Sequence, residues 1–337
     1  MTKKIRWGVL GAAKIAVKSV IPAMQNGEFS EITAIASRNA DKAKRAANEL
    51  GIAKFYGSYQ ELIDDAEIDA IYNPLPNNLH VEWSIKAAEA GKHVLCEKPL
   101  AMSAGEARKL IETRDKTGVK IQEAFMVRSH PQWLAVRDLI ENNRIGDVQA
   151  INCFFSYFND DANNIRNKIE TGGGALMDIG CYCINLPRFV LGEEPQRVAA
   201  IIKRDEKTKI DKLTAAMLDF PSCVTTFTCS TQLIPYQRMQ FVGTKGRLEV
   251  EIPVNIPFDR PTRIFVDNSG DLFGANIEII EIPAVNQYTI QGDLFSKAIL
   301  ENTARTISLE DSVRNMSIIE AVFCAAETGK WEIPASF

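Results

Sequence analysis

The sequence predicts an α/β protein with two domains, and three observations support this prediction. Short apolar runs alternate with helical stretches over residues 5–124, a pattern typical of a parallel sheet with crossover helices. Extended segments separated by short turns dominate the chain after residue 142, which indicates a largely antiparallel sheet. The length of 337 residues is close to that of two ordinary domains. We therefore expect a first domain over residues 1–124 and a second over residues 125–337.

Each predicted strand of the first domain is a short apolar run. The candidates are Ile5–Leu10, Glu31–Ala36, Lys54–Tyr56, Ala70–Tyr72, Lys92–Cys96 and Lys120–Glu123. Helices fill the gaps and end before glycines, which adopt the left-handed conformation that closes a helix. These helices are predicted over Asp41–Leu50, Leu79–Ala90 and Ala104–Thr117. Ser58 with Glu61 and Ser103 with Glu106 form capping boxes at two helix starts.

The second domain is predicted to contain mostly strands. The extended segments are Val148–Tyr157, Arg197–Lys203, Leu213–Phe220, Val224–Ser230, Met239–Val242 and Arg247–Glu251. Turns at residues 221–222 and 243–246 separate neighbouring segments, as in antiparallel hairpins. Helices are predicted over Pro131–Asn142, Gly174–Leu191 and Leu309–Thr328.

Composition argues against several classes of protein. The 39 basic and 43 acidic residues give a net charge of -4 with no long block of one sign, which argues against nucleic-acid and anionic-membrane partners. The seven cysteines show neither C-x-x-C pairs nor metal-ligand spacing, so we expect a reduced, cytoplasmic protein without a metal site. No run of 18 apolar residues predicts a membrane span. Lys14 and Lys18 interrupt the apolar N-terminal run, which we interpret as a strand and not as a secretory leader.

The segment GVLGAAKIA, residues 8–16, lies between the first predicted strand and the first predicted helix. At such a turn, backbone amides and the positive end of a helix bind the pyrophosphate of a dinucleotide. Gly11 holds the first glycine position of G-x-G-x-x-G, whereas Ala13 and Ala16 replace the other two. Alanine is accepted at the third position, but Ala13 restricts the approach of the phosphates. The alternative is a small-residue turn that packs a helix on a strand.

The end of the second predicted strand indicates which dinucleotide binds. A site selective for NAD has Asp or Glu here, to accept a hydrogen bond from the ribose 2'-hydroxyl. This chain has Ser37, Arg38 and, one turn later, Lys42. A hydroxyl and two cations suit a 2'-phosphate, so we predict NADP, with NAD as the second candidate. The alternative is a solvated basic helix start.

Two further strand ends carry candidate residues for chemistry. In IYNPLPNNLH, residues 71–80, Pro74 and Pro76 fix a loop where a buried strand ends, the place where ligands bind in open parallel sheets. The next strand runs into Glu97-Lys98-Pro99. A lysine that ends so apolar a run is expected close to the nicotinamide, and a salt-bridged structural lysine is the alternative.

Taken together, GVLGAAKIA, NPLPNNLH, EKP and GGGALMDIGCYCIN resemble the glucose-fructose oxidoreductase, inositol dehydrogenase and rhizopine-catabolism (GFO/IDH/MocA) oxidoreductase family. The resemblance covers most of the chain. It implies a Rossmann domain followed by a C-terminal α/β domain with a large, mainly antiparallel open sheet. It also implies a homodimer or higher homo-oligomer that forms through this sheet.

The resemblance implies three catalytic residues. Lys98 matches the lysine that orients the substrate hydroxyl and assists proton transfer, and Asp178 matches a helix aspartate that contacts substrate. Many members have a histidine acid/base where this chain has Tyr182, as in the branch with glucose-fructose oxidoreductase, dimeric trans-dihydrodiol dehydrogenase and NADP-dependent aldose dehydrogenases. Asp178 and Tyr182 are four residues apart and share one helix face. A phenol has an ordinary pKa of about 10 and its phenolate is favoured by a nearby ammonium group, which Lys98 can supply. The alternative for Tyr182 is a core tyrosine with a satisfied hydroxyl.

The predicted cofactor site combines these motifs. It consists of Gly11, Ala12, Ala13, Lys14, Ile15, Ser37, Arg38, Lys42, Pro74, Asn77, His80, Glu97, Lys98 and Arg128. His80 matches a histidine of the dihydrodiol-dehydrogenase branch and is expected to contact the substrate or a ribose. Arg128 begins the second domain and is expected to contact cofactor or substrate.

The expected function is NADP(H)-dependent hydride transfer between the nicotinamide and a hydroxyl or carbonyl carbon of a sugar or polyol. A trans-dihydrodiol dehydrogenase or a ketosugar reductase is the alternative within enzymes. Met126 stands where some diol-oxidising relatives have tryptophan, which argues against an aromatic diol. A non-catalytic dinucleotide-sensing regulatory protein is the alternative of another class, and the joint presence of Lys98, Asp178 and Tyr182 argues against it.

Overall fold

The computed structural model describes residues 3–303 and 307–336 of the chain. The strands are β1 Ile5–Leu10, β2 Ser30–Ala36, β3 Lys54–Tyr56, β4 Ala70–Asn73, β5 His93–Cys96, β6 Ile121–Glu123, β7 Val148–Phe158, β8 Arg197–Arg204, β9 Asp211–Asp219, β10 Val224–Ser230, β11 Gln232–Gly243, β12 Arg247–Val250, β13 Thr262–Asp267 and β14 Glu278–Ile282. The α-helices are α1 Ile21–Gln25, α2 Ala40–Leu50, α3 Tyr59–Asp64, α4 His80–Glu89, α5 Ala104–Thr117, α6 Pro131–Glu141, α7 Cys181–Leu191, α8 Gln287–Leu300 and α9 Leu309–Thr328.

The chain forms two compact units. The first unit comprises Met1–Met126 with Asn286–Met316, and the second comprises Val127–Val285 with Ser317–Phe337. The boundary expected after residue 124 lies close to the first division between the units. Residues 286–316 were expected in the second domain, whereas they group with the first unit. The limits of the functional domains stay a prediction.

The first unit contains the predicted parallel sheet. Its six strands have the order β3-β2-β1-β4-β5-β6, and every neighbouring pair is parallel. This is the strand order of a Rossmann fold, with the change of direction between β1 and β4. The fold class predicted for this part of the chain is confirmed. The loops after β1, β2, β4 and β5 therefore meet at the carboxyl end of the sheet. They carry Lys98 and most of the predicted cofactor residues.

The helix starts show how local sequence fixes this unit. Ser58 accepts a hydrogen bond from the Glu61 amide (3.2 Å) and Ser103 accepts one from the Glu106 amide (3.1 Å), as predicted. The Glu61 carboxylate accepts from the amide of Gly57, one residue before the capping serine (3.1 Å). Both helices therefore begin where the capping serines were identified.

Helix α8 was not predicted, and it joins the first unit by packing on α1, β1 and β2. The Trp7 indole donates to the Ser296 hydroxyl (3.0 Å), and the Trp7 and Phe295 rings lie 5.7 Å apart. The Asp293 carboxylate accepts from the amides of Glu28 and Phe29. Because several buried side chains of α8 are polar, the sequence of this helix shows no clear apolar stripe.

The second unit contains an eight-stranded sheet in the order β14-β13-β12-β11-β7-β10-β9-β8. Only the pair of β7 and β10 is parallel, so the predicted mainly antiparallel sheet is confirmed. Helix α7 packs on β7 and β10, where the ring of Phe155 lies 6.3 Å from that of Tyr182. Side chains alternate along a strand, so Phe154 points to the opposite face of this sheet.

Strands β13 and β14 were missed, and β11 is longer than the segment Met239–Val242 that was predicted. Among the described residues, no helix is both long and apolar enough to cross a membrane.

Candidate active site

The turn after β1 has the backbone geometry expected of a dinucleotide-binding turn. Gly11 has a φ of +87°, and its amide donates to the carbonyl of Ala36 (2.8 Å). A side chain at Gly11 would be strained in this conformation and would lie 3.1 Å from Leu75. The amide of Val17 donates to the carbonyl of Ala13 (3.0 Å), so helical bonding begins here. In a helix, the four amides that precede the first such bond have no partner inside it.

The small side chains of this turn pack against the core and leave its backbone accessible. Ala12, Ala13 and Ile15 are half-buried and pack against the core of the first unit, while Lys14 is exposed. The amides of residues 13–16 and the small side chains fit a pyrophosphate, which needs close approach to backbone.

The end of β2 is cationic. Arg38 and Lys42 are exposed, and Ser37 is buried with its hydroxyl accepting from the Asn39 amide (3.3 Å). Burial raises the pKa of Tyr59, and the positive charge of Arg38 opposes this rise. The charge of Arg38 thus acts on Tyr59 of α3, which sequence reasoning did not indicate. These residues fit the 2'-phosphate of NADP better than the 2'-hydroxyl of NAD.

Asn73 and His80 organise the loop after β4. The Asn73 amide donates to the His80 carbonyl (3.0 Å) and to the Ser84 hydroxyl (3.1 Å). Pro74 is buried, and Asn77 begins a short 3-10 turn over residues 77–79. These bonds fix the loop against the start of α4.

His80 lies inside this loop and is 1% exposed. Its Nδ1 contacts the Pro99 carbonyl (2.9 Å) and its Nε2 contacts the Leu75 carbonyl (2.7 Å). Burial lowers the pKa of His80 to about 4, against the pull of the two carbonyl groups, which favour the charged ring. The imidazole thus joins the loop after β4 to the loop of Lys98. The direct ligand contact predicted for His80 stays a prediction.

Lys98 is half-buried and lies on a backbone that is fixed on both sides. The Tyr72 hydroxyl donates to the Glu97 carboxylate (2.6 Å), and the Leu100 amide donates to the carboxylate of Glu123 (2.8 Å). The Lys98-Pro99 peptide bond is cis. Glu97 therefore orients the loop through Tyr72, which the sequence alone did not indicate, and Glu123 is a second residue that sequence reasoning missed.

In the second unit, a glycine-rich segment leads into the helix that carries Asp178 and Tyr182. The amides of Gly173 and Gly174 donate to the carbonyls of Lys168 and Arg166 (both 2.9 Å). A π-helical turn over Leu176–Gly180 follows and continues directly into α7. The predicted helix over Gly174–Leu191 is thus present, with a wider first turn than an α-helix.

Asp178 is held by two side chains that sequence reasoning missed. The Arg166 Nε lies 3.1 Å from both carboxylate oxygens of Asp178, whose side chain is 13% exposed. The Tyr157 hydroxyl donates to the same carboxylate. Burial, and next the charge of Asp178, raise the pKa of Tyr157 far above its usual range. Tyr157 is thus a neutral donor, and Arg166 stabilises the charge of Asp178.

Tyr182 is 4% exposed and lies on α7, with its ring packed near Phe155 on β7. The residue follows Asp178 by four positions, so both belong to one face of the continuous helical segment. Arg128 lies in the second unit as well, and its guanidinium stacks on the ring of Phe189 at 4.7 Å. The predicted role of Arg128 at the cofactor stays a prediction.

Comparisons with known proteins identify the family. Residues 5–125 match the oxidoreductase family with an NAD-binding Rossmann fold, and residues 133–249 match the GFO/IDH/MocA C-terminal domain. The chain belongs to the GFO/IDH/MocA oxidoreductase family. The resemblance noted in the sequence is thereby confirmed.

Three similar proteins show how close the chain is to known sequences and structures. It is 44% identical to an uncharacterized oxidoreductase of Rhizobium meliloti, covering 97% of this chain and 98% of the relative. It is 36% identical to D-xylose 1-dehydrogenase (NADP(+)) 2 of Haloferax volcanii, covering 96% and 98%. The solved structure of a 3-ketoreductase from Actinomadura kijaniata in complex with NADP and TDP-benzene is 30% identical, with a TM-score of 0.89 and coverage of 96% and 98%. That reductase has also been solved with one lysine changed to alanine and with one tyrosine changed to phenylalanine.

Proposed function

We propose that this oxidoreductase transfers hydride between NADP(H) and a hydroxyl or carbonyl carbon of a sugar or polyol. The observation that carries the proposal is the anchored carboxylate of Asp178 on the same helix face as Tyr182, in a chain whose Rossmann unit presents Lys98 on a fixed loop. A carboxylate, a phenol and an ammonium group suit a substrate with several hydroxyl groups.

The three side chains have separate roles in this proposal. Tyr182 exchanges a proton with the substrate oxygen at the reacting carbon, and the ammonium of Lys98 favours the phenolate of Tyr182. Asp178 accepts a hydrogen bond from a second substrate hydroxyl. Arg166 and Tyr157 orient the Asp178 carboxylate for this purpose. Lysine and tyrosine are also the residue types that were substituted in the related 3-ketoreductase.

NADP, when bound, supplies the nicotinamide that accepts or donates the hydride. The turn at residues 11–16 holds the pyrophosphate, and Arg38 with Ser37 and Lys42 holds the 2'-phosphate. The Arg38 guanidinium can bind this phosphate through paired hydrogen bonds.

Replacing Arg38 by aspartate tests the assignment of the 2'-phosphate. We expect the dissociation constant for NADPH to rise about 100-fold, because a charge-assisted contact is lost and a like charge is introduced. The constant for NADH should change little, since NADH has no phosphate at this position. Isothermal titration with both cofactors measures the two effects.

Arg45→Asp is the matched control, because Arg45 is an exposed arginine of the same helix, α2. Its effect on NADPH binding should be small. An equal loss of NADPH and NADH binding in the Arg38 variant would contradict the assignment.

The substrate class can be tested by turnover. The purified chain is incubated with NADP+ and a panel of aldoses, polyols and trans-dihydrodiols, and absorbance of reduced nicotinamide is followed. Activity with aldoses or polyols supports the proposal, and activity confined to dihydrodiols, or to ketosugars with NADPH, favours the alternatives. Tight binding of NADP+ without turnover of any compound favours a dinucleotide-sensing regulatory protein.

The second unit leaves one face of its sheet open, and we propose that a second copy of the chain covers it. A shallow depression of about 630 Å³ lies on this face and is lined by residues of β7 to β11. Ile201 and Met217 are exposed by 64% and 39% there, and the rings of Phe154 and Tyr236 pack edge to face. Two such faces can pack against each other as aligned sheets, in a closed two-fold contact.

Replacing both Ile201 and Met217 by lysine tests this contact. We expect the wild-type chain to elute in light-scattering chromatography at twice the monomer mass of 37.4 kDa or at a higher multiple, and the double variant at the monomer mass. Leu134→Lys is the control, since Leu134 is equally apolar and 45% exposed but lies on α6. A monomeric wild-type chain would contradict the proposal.

We propose a cytoplasmic location as well. All seven cysteines of the chain lie in described residues, and the structure pairs none of them in a disulfide bond. Free cysteines suit a reducing compartment, and NADP(H) is a soluble cofactor. Cell fractionation checks this proposal.

A further inference from the structure

Asp211 is a buried carboxylate that the proposed chemistry does not use. It begins β9, is 2% exposed, and lies in the second unit. The Oδ2 atom of Asp211 accepts two hydrogen bonds. One comes from the backbone amide of Leu176 (2.6 Å) and the other from the hydroxyl of Thr214 (3.0 Å). The carboxylate thus contacts the beginning of the helical segment that carries the candidate catalytic residues.

The contact fixes the turn directly before these residues. Leu176 opens the π-helical turn, lies two residues before Asp178, and lies six before Tyr182. Gly174 has a φ of +115°, and a Cβ at this position would lie 1.8 Å from the second carboxylate oxygen of Asp211. The carboxylate therefore occupies the space that a side chain at Gly174 would need. The position of Asp211 thus requires glycine at residue 174.

A charged group at this place is costly for folding. Burial raises the pKa of Asp211 to about 6, although the bonds from Leu176 and Thr214 and the more distant Arg204 favour the charged form. Because this pKa lies above the ordinary value of 3.8, ionised Asp211 destabilises the fold above a pH of about 6. A neutral asparagine or threonine can also accept from a helix amide, without this cost. A neutral acceptor would therefore be enough to stabilise the helix start, and the charged carboxylate is a stronger acceptor than folding requires.

We infer that Asp211 is a positioning residue, which orients Asp178 and Tyr182 by fixing the turn from Gly174 to Leu176. The charged carboxylate holds the Leu176 amide, and the rigid turn sets the direction in which both side chains project. This role rests on the proposed function, because it acts through the two residues assigned there.

Two variants and one control test the inference. Asp211→Asn removes the charge with little change of shape, and Thr214→Val removes one hydrogen bond while the Leu176 contact stays. Asp219→Asn is the control, because Asp219 is on the same strand and pairs instead with the exposed Arg197. All three residues belong to the second unit.

Hydrogen exchange of the amides from Leu176 to Tyr182 is the readout that needs no activity. We expect exchange in Asp211→Asn to be at least about tenfold faster than in the wild-type chain, because a charge-assisted bond to an amide is lost. Thr214→Val should show a smaller change of the same sign, and Asp219→Asn none. Unchanged exchange in Asp211→Asn overturns the inference, whether or not the proposed function holds.

Kinetics separate a positioning role from a purely structural one. In Asp211→Asn we expect kcat to fall about tenfold or more, KM for the sugar to rise, and the dissociation constant for NADP+ to stay within about twofold. The unfolding midpoint at pH 8 should not fall, since the buried charge is gone. A lower midpoint with unchanged kcat would overturn the inference, and a wild-type chain without any turnover would instead contradict the proposed function.

The pH profile gives a last signature. Arg204 of β8 and the thiol of Cys229 on β10 are the titratable groups that act on Asp211 from neighbouring strands, and burial raises the pKa of Cys229 well above its ordinary value. The raised pKa of Cys229 keeps its thiol neutral near pH 6. We expect the wild-type kcat to decrease as the pH falls through about 6, where Asp211 takes up a proton, and this step to be absent in Asp211→Asn. The same step in both proteins would assign it to another group and count against the inference.

Discussion

Replacing Lys98 by methionine is expected to lower kcat about a thousandfold, the effect of removing a group that assists proton transfer. Methionine keeps the length and apolar stem of lysine but has no charge to favour the phenolate of Tyr182. The hydrogen bonds that hold the loop come from Glu97, Tyr72 and Glu123, so the loop should keep its conformation. Binding of NADP+ should change by less than about threefold, because Lys98 acts on the reacting substrate.

Lys86→Met is the control for this experiment. Lys86 belongs to the first unit as well, and its ammonium pairs with Glu82 on the surface of α4. Steady-state kinetics should show an unchanged kcat for this variant. Turnover near the wild-type rate in the Lys98 variant would remove Lys98 from the mechanism.

Replacing Tyr182 by phenylalanine is expected to lower kcat by a factor between about 100 and 10,000, the range found when a general acid or base is removed. The ring would still pack near Phe155, so the fold should be kept. A change in the unfolding midpoint of more than about 4 °C, which corresponds to more than about 1 kcal/mol, would indicate a structural effect instead.

Tyr56→Phe serves as the control, because it removes a tyrosine hydroxyl that donates to the Asp65 carboxylate (2.7 Å) in the first unit and has no role in the proposed chemistry. Its kcat should equal that of the wild-type chain. If Tyr182→Phe keeps the wild-type kcat, the proton must be exchanged by another group.

The Rossmann sheet could be predicted because its strands are continuous apolar runs and its helices end at glycines. Ala104–Thr117 was predicted with its observed limits, since Ser103 marks its start and Gly118, with a φ of +71°, its end. These signals are local in sequence, so no knowledge of distant contacts is needed.

Elements whose apolar face is interrupted were missed. Helix α8 buries Gln287, Gln291 and Ser296, so its sequence shows no clear apolar stripe. Strand β14, Glu278–Ile282, carries charged residues and is largely exposed at the edge of its sheet. Their positions are set by tertiary contacts and not by local pattern.

The site was predictable in its residue types but not in its supporting contacts. Lys98, Asp178 and Tyr182 were found from motifs. The residues that hold them were not, because they are remote in sequence: Asp211 lies 35 positions after Leu176. Arg166 is in a short 3-10 turn, Ile165–Asn167, where no sequence pattern distinguishes it from a surface arginine.

The most direct test of the account is a crystal structure of the chain with NADP+ and an aldose or polyol that it oxidises. We predict that the Lys98 ammonium and the Tyr182 hydroxyl both lie within about 3 Å of the same substrate oxygen, with Asp178 on a second hydroxyl. A bound substrate whose reacting oxygen contacts neither Lys98 nor Tyr182 would contradict it.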